Sequence, residues 1–253
     1  MDISGNTVLI TGGSSGIGCA MAEAFLAAGS EVLICGRRED RLLEAQKKHP
    51  GLQVRTCDVA VDRQRTELVE WAVAKFGTLN VLVNNAGVQR DVDFTKGIAE
   101  FLAGDNEIRI NLEAPILLAG QLVPHLGGKK GAAIINVSSG LGFVPAARMP
   151  VYSASKAGLH AFSMALRKQL LPVGIKVFEV VPPAVDTELN PQGRAKRGAF
   201  KANLTATEFV AAVMKGLASD VLEIGYGMTE GFIRASRADL DKAFQQMNGQ
   251  WAR

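Results

Sequence analysis

Short apolar runs rich in β-branched residues alternate with longer stretches in which apolar residues recur every three or four positions. The alternation holds from residue 7 to about residue 180. Residues 7–11, 31–35, 53–57, 81–84, 132–137 and 175–180 have the length and composition of strands buried on both faces. Residues 17–28, 39–48, 63–76, about 105–126 and 152–170 carry the spacing of helices laid on a sheet. Repeated strand–helix–strand units with right-handed crossovers build a parallel, doubly wound α/β fold. The alternation stops near Val181. A Pro/Gly/Lys/Arg-rich stretch to about Asn203 follows, then a helix over 207–218, a short strand over 221–224 and a polar amphipathic helix around 229–247. A loop of that length is expected to cover a binding site, at about 186–205, and residues 229–253 read as a helical C-terminal extension.

Composition narrows the class. The chain has 253 residues, 47% hydrophobic and 21% charged, with no composition shift or Pro/Ser linker, which fits one domain with ample core. Net charge is +3 and the basic residues are spread, so neither a nucleic-acid nor a membrane surface is expected. The densest basic cluster, Arg194, Lys196, Arg197 and Lys201, reads as a solvated loop. An acid near the N-terminus and interrupted apolar runs point to a soluble, cytoplasmic protein. Cys19, Cys35 and Cys57 lack paired spacing and read as small buried hydrophobes. His49, His125 and His160 have no carboxylate or cysteine at ligand spacing, so neither a metal nor a histidine triad is expected.

Tyr152 and Lys156 stand one helical turn apart and face the same way. A free phenol has a pKa of about 10, and a neighbouring cation favours the phenolate, so the pair can form a tuned acid. Ser139, thirteen residues before the tyrosine, would hold a substrate oxygen if strand and helix are neighbours. Taken alone, a surface helix with an incidental tyrosine explains the pair equally well. The run Thr11-Gly12-Gly13-Ser14-Ser15-Gly16-Ile17-Gly18 follows the first strand and opens a helix, the context of a phosphate-binding loop. Gly12 allows a sharp turn, Gly16 clears room for pyrophosphate, and Gly18 lets helix and strand pack. An ordinary tight turn is the alternative.

At the end of the second strand, an acid would bind a ribose 2′-hydroxyl, whereas a basic residue accommodates a 2′-phosphate. Here Gly36 is followed by Arg37 and Arg38, which favours NADP(H) over NAD(H). The competing reading makes both arginines helix-leading surface charges paired with Glu39 and Asp40. Asp58, beside Val59, would reach an adenine amine or cap a helix. Asn85, Ala86 and Gly87 suit close approach of a ribose or nicotinamide, or make a routine turn.

The glycine run, Asn84-Asn85-Ala86-Gly87, Asn111, Ser139 and Tyr152-x-x-x-Lys156, in this order, closely resemble the short-chain dehydrogenase/reductase family over residues 5–187. The resemblance implies a single Rossmann-type domain and hydride transfer between a nicotinamide and a carbonyl or alcohol carbon. It implies Tyr152 as general acid in reduction and general base in oxidation. Lys156 would lower its pKa and bind the nicotinamide ribose. Ser139, rather than Ser138, would position the substrate oxygen, and Asn111 would hold a helix kink and a water in a proton relay. The implied cofactor contacts are Gly12, Ser14, Ser15, Gly16, Ile17, Gly18, Arg37, Arg38, Asp58, Val59, Asn85, Ala86, Gly87, Tyr152, Lys156, Pro182, Val185 and Thr187. A homodimer or homotetramer is implied as well, with helices 105–126 and 152–170 packing against a second subunit.

Two segments depart from the family pattern. Pro182-Pro183 replaces Pro-Gly, stiffening the backbone and removing one N–H. Together with Asp186-Thr187-Glu188 it resembles a bacterial subgroup of oxidoreductases encoded with lipoteichoic-acid D-alanylation genes. The usual glycine-rich ending is replaced by Gly225-Tyr226-Gly227-Met228 and the polar helix. Leu141, Gly142, Phe143, Val144, Met149, Val151 and Pro183 are the positions expected to face substrate, with Gln89 and Arg90 in reach. Such a pocket suits an apolar ketone or aldehyde. The expected function is therefore an NADP(H)-dependent oxidoreductase. The alternatives are a non-catalytic NADP(H)-binding sensor or scaffold, and a nicotinamide-dependent epimerase or dehydratase, which usually carries a larger substrate domain.

Overall fold

The buried apolar runs become one parallel sheet. The computed structural model of the chain describes residues 1–190, 193 and 203–249. Its strands are β1 (Thr7–Thr11), β2 (Glu31–Gly36), β3 (Leu52–Thr56), β4 (Val81–Asn84), β5 (Ala133–Val137), β6 (Lys176–Val180) and β7 (Glu223–Ile224). They lie in the order β3-β2-β1-β4-β5-β6-β7, each neighbouring pair parallel. Along β1 the side chains alternate between two cores. Val8 and Ile10 join Phe25, Phe178 and Phe209 on one face, and Leu9 joins Leu33, Leu68 and Leu118 on the other. Helices cover both faces, so the central strands β1 and β4 are buried throughout.

The helices are α1 (Gly16–Ala27), α2 (Glu39–Lys48), α3 (Asp62–Lys75), α4 (Ala99–Leu102), α5 (Ala114–Leu126), α6 (Pro150–Leu170), α7 (Ala206–Ala218), α8 (Met228–Arg234) and α9 (Arg237–Asn248). Pro150 opens α6 at its first position, where a missing N–H costs nothing. Thr205 and Glu208 form a capping box at the start of α7. Among the described residues no helix is long and apolar enough to cross a membrane.

Three expectations are corrected. The helix over 105–126 is not regular: Arg109–Glu113 is a π-turn that runs into α5. Pro115 explains it, because proline has no N–H for the carbonyl of Asn111 and its ring crowds that carbonyl, so the helix opens there. The helix over 229–247 is two helices, since Ala235 and Ser236 are extended and Ser236 caps α9 through the Asp239 N–H. The last strand is shorter than 221–224. Much of the expected substrate loop, including Arg194, Lys196, Arg197 and Lys201, and the final residues 250–253 fall outside the described residues.

After β3 the chain returns to the other side of β1 to form β4, so the crossovers diverge between β1 and β4. That divergence leaves a crevice beyond the carboxyl ends of the two strands, the place where doubly wound sheets bind ligands.

Candidate active site

Gly12 follows β1 with φ +66°, and a Cβ there would meet the Ala86 Cα at 2.8 Å. At Gly18 a Cβ would fall 2.4 Å from the Gly12 carbonyl oxygen. Any larger residue would push the loop off β4 or α1 off the loop. The Thr11 hydroxyl accepts from the N–H groups of Asn85 and Ala86, both at 3.0 Å, and the Asn85 carboxamide donates to the carbonyls of Thr11 (2.9 Å) and Gly12 (3.1 Å). Asn85, just past β4, thus clasps the glycine loop. Beyond the loop, α1 presents the N–H groups of its first turn, capped by no side chain. Ser15, Gly16, Cys19, Asp186, Thr187 and Glu188 border a cleft of about 580 Å³ beside that terminus. A glycine-rich loop leading into an uncapped helix N-terminus fits a dinucleotide pyrophosphate.

Arg37 and Arg38 follow β2, and both are paired, though not with Glu39 and Asp40. Arg37 forms a two-point ion pair with Asp105 (2.8 and 3.0 Å). Arg38 reaches Glu188 at 2.9 Å and Ser15 at 3.2 Å. Asp58 makes a local turn, accepting from the Ala60 N–H at 2.9 Å, and Val59 is buried beside it. Ser14 Oγ lies 3.4 Å from where a Cβ on Gly36 would stand. Ile17 packs against the core, and Val185 is buried within it. Thr187 sits against Gly16, and the Pro182 carbonyl accepts from the Gly140 N–H at 3.0 Å.

Ser139 caps the short turn Gly140–Gly142, accepting from the Leu141 N–H at 3.1 Å. The same hydroxyl acts on the Tyr152 phenol to pull that group's pKa down. Burial acts more strongly, and the phenol stands at about 12. The Lys156 ammonium lies 5.8 Å from the Tyr152 ring centroid and donates to the Val137 carbonyl at 2.8 Å. Burial lowers its own pKa to about 8. Ser138 turns away, donating to Glu179 at 2.5 Å. The Asn111 Oδ1 accepts from the Val88 N–H at 2.9 Å, and its amide donates to the Val88 carbonyl (2.9 Å) and Ser155 (3.1 Å). The π-turn thereby holds Val88, and with it Gly87, beside Lys156.

Leu141, Ala146, Met149 and Tyr152 form a small apolar cluster around the phenol. Pro183 is half-buried nearby in sequence to the Pro182 contact. Phe143 packs on His160, ring centroids 4.4 Å apart, Val144 is fully buried, Val151 is buried, and Gly142 abuts the α6 backbone. Arg90 is taken up by the carbonyls of Glu100 (3.2 Å) and Phe101 (2.9 Å).

Four side chains near the site escaped the sequence reading. Glu107 is fully buried, accepts from the Arg90 N–H at 3.0 Å, and is pushed up to about 7 by burial. Glu179 is fully buried beside His160, whose Nδ1 lies 2.8 Å away. Asn248 reaches back from α9 to residues 145 and 147. The available signal for Glu179 was an acid inside an apolar strand. For His160 it was a position one turn beyond Lys156. No local pattern marked Asn248.

A family model described as short chain dehydrogenase matches residues 6–198. The chain is 46% identical over 250 residues to the uncharacterized oxidoreductase DltE of Bacillus subtilis, covering 99% of each protein. It is 34% identical over 204 residues to mouse 15-hydroxyprostaglandin dehydrogenase [NAD(+)], covering 75% of this chain and 71% of that one. A short chain dehydrogenase from Burkholderia cenocepacia, solved in complex with NADP, superposes with a TM-score of 0.82 at 25% identity, covering 96% of this chain and 99% of that one. With a profile spanning most of its length and a relative aligned end to end, the chain belongs to the short-chain dehydrogenase family.

Proposed function

We propose that this nicotinamide-dependent oxidoreductase reduces an apolar ketone or aldehyde with NADPH, Tyr152 supplying the proton. The observation that carries the reading is a hydroxyl of Ser139 on the buried Tyr152 phenol, with the Lys156 ammonium one helical turn away. A phenol held at about 12 keeps its proton at neutral pH and is available as an acid. Ser139 and Tyr152 donate to the carbonyl oxygen of the substrate, polarising it and fixing its orientation. As the phenol gives up its proton, the nearby ammonium favours the phenolate, so Lys156 acts mainly on the product side of the transfer. Asn111 keeps the Gly87 turn in place against that ammonium.

The nicotinamide, when bound, supplies the hydride. Gly12, Ser14, Ser15, Gly16 and Gly18 would hold the pyrophosphate, Asn85, Ala86, Gly87 and Lys156 the nicotinamide ribose, and Pro182 and Thr187 the carboxamide. Arg37 and Arg38, with no acid at Gly36, would take the 2′-phosphate. Leu141, Met149 and Pro183 would line the substrate side. Assembly as a homodimer or homotetramer would cover Ile116, Leu117 and Met164, which α5 and α6 expose.

The experiment is a screen of ketones and secondary alcohols with both cofactor pairs, repeated on Tyr152→Phe. Loss of turnover with NADPH binding retained supports the reading. Unchanged turnover sinks it, and cofactor binding without turnover in the parent favours a sensor.

A further inference from the structure

Glu179 is the penultimate residue of β6 and has no exposed surface, between Phe178 and Val180, which are also fully buried. A carboxylate in such a place is costly unless it is bonded and compensated. Ser138 donates to its Oε1 at 2.5 Å, and His160 Nδ1 lies 2.8 Å from its Oε2. These two partners bracket Lys156. Ser138 directly follows Val137, whose carbonyl takes the ammonium at 2.8 Å, and His160 is one turn further along α6. We infer that Glu179 is a positioning residue for the proposed reduction: a buried counter-ion that keeps Lys156 cationic beside Tyr152, with His160 linking the same carboxylate to the surface. The inference rests on the reading of Tyr152 and Lys156 given above.

The groups facing the carboxylate can be enumerated. From α6 come Lys156, His160 and Arg167, from the end of β5 Ser138, and from β7 Glu223. Arg167 is engaged with Glu223 at 3.0 Å and with the Val177 carbonyl at 2.9 Å. Asn136, opposite Glu179 in the sheet, bonds Asn84 and Ser163. That leaves Lys156 and His160 as the basic groups on which the carboxylate acts. Burial drives the Lys156 pKa down to about 8 and Glu179 acts against it, while the same carboxylate raises His160 above the usual imidazole value. His160 is partly exposed, so the pair ends at solvent.

Glu179→Gln separates charge from shape, since the amide can keep hydrogen bonds to Ser138 and His160. The pH profile of kcat for ketone reduction with NADPH is the readout. In E179Q the alkaline fall of kcat is expected about 1 pH unit lower than in the parent, with KM and NADPH affinity unchanged. Glu179→Asp, which keeps the charge, should return the alkaline limb most of the way to the parent's position. An alkaline limb unmoved in E179Q overturns the inference. If Tyr152→Phe is inactive at the same time, the proposed function stands without it, whereas an active Tyr152→Phe removes the function itself. Should E179Q fail to fold, the unaltered protein decides, with 13C-labelled lysine and the Lys156 signal identified by its loss in Lys156→Arg. That signal should show a second, smaller step at the pH where the His160 ring titrates. A single step means that no carboxylate couples the two.

Discussion

Asn85 and Thr11 hold one another twice: the Asn85 carboxamide donates to the Thr11 carbonyl at 2.9 Å, and the Thr11 hydroxyl accepts from the Asn85 N–H at 3.0 Å. The same carboxamide also reaches Gly12, so one side chain fixes the loop that would meet pyrophosphate. Asn85→Ala leaves two carbonyls short of a donor, at a cost of about 1–2 kcal/mol. The expected outcome is a lower urea midpoint together with NADPH affinity weakened roughly tenfold, a ratio equivalent to about 1.4 kcal/mol. Calorimetric titration checks it. Weakened affinity without loss of stability would mean that Asn85 contacts the cofactor directly.

Asp105 occupies the guanidinium that is proposed to read the 2′-phosphate. Exposed ion pairs of this kind are worth about 0–1 kcal/mol, so a phosphate can displace the carboxylate. Asp105→Asn should therefore tighten NADPH binding by a few-fold and leave NADH binding where it was. Arg37→Ala should weaken NADPH by about tenfold or more, the size of a charge-assisted bond. Cofactor fluorescence titrations on both variants are sufficient. Equal effects on NADH and NADPH would assign Arg37 a structural role.

The sheet was legible because its strands are buried on both faces: Val8, Leu9 and Ile10 are all apolar, and no alternation has to be decoded. Gly12 and Gly18 were legible because steric demand leaves few substitutes. What stayed hidden depends on contacts between residues far apart in sequence. Arg37 and Arg38 find Asp105 and Glu188, rather than the adjacent Glu39 and Asp40, because the crevice brings those loops together. The π-turn at Asn111 keeps the apolar spacing of a helix, so periodicity alone cannot show it. His160 has a carboxylate partner 19 residues away, which motif spacing does not test.

Lys156 and Tyr152 give stability an unusual course with pH. In the folded chain the ammonium loses its proton at about 8, against 10.5 for a free lysine, so over that window the unfolded chain binds more protons and stability rises with pH. Tyr152 is displaced upward, from 10.0 to about 12, so its contribution is complete below pH 10 and is lost as pH climbs through 12. Lys156→Met should abolish the rise between pH 8 and 10 and gain on the order of 2 kcal/mol near pH 7. Urea unfolding at several pH values measures both. A parent and variant with the same slope would show that the lysine is not held at a depressed pKa.

Asn248, near the end of α9, ties the C-terminal extension to the wall of the proposed substrate pocket. Its Oδ1 accepts from the Ala147 N–H at 2.5 Å and its Nδ2 donates to the Pro145 carbonyl at 2.9 Å. Ala146, between them, packs against Tyr152 with Met149 and Leu141. The clamp touches neither the phenol nor the ammonium, so it should govern how a ketone fits rather than how fast the proton moves. Asn248→Ala is expected to raise KM for a bulky ketone by about 3–10-fold while kcat stays within about twofold, the pattern of lost uniform binding. Ser236→Ala, which removes the cap of α9 and about 1 kcal/mol of helix stability, should shift KM the same way by less. Steady-state kinetics with a small and a bulky ketone separate the cases. If kcat falls and KM does not, residues 145–147 position Tyr152 itself, and the extension belongs to the machinery of proton transfer.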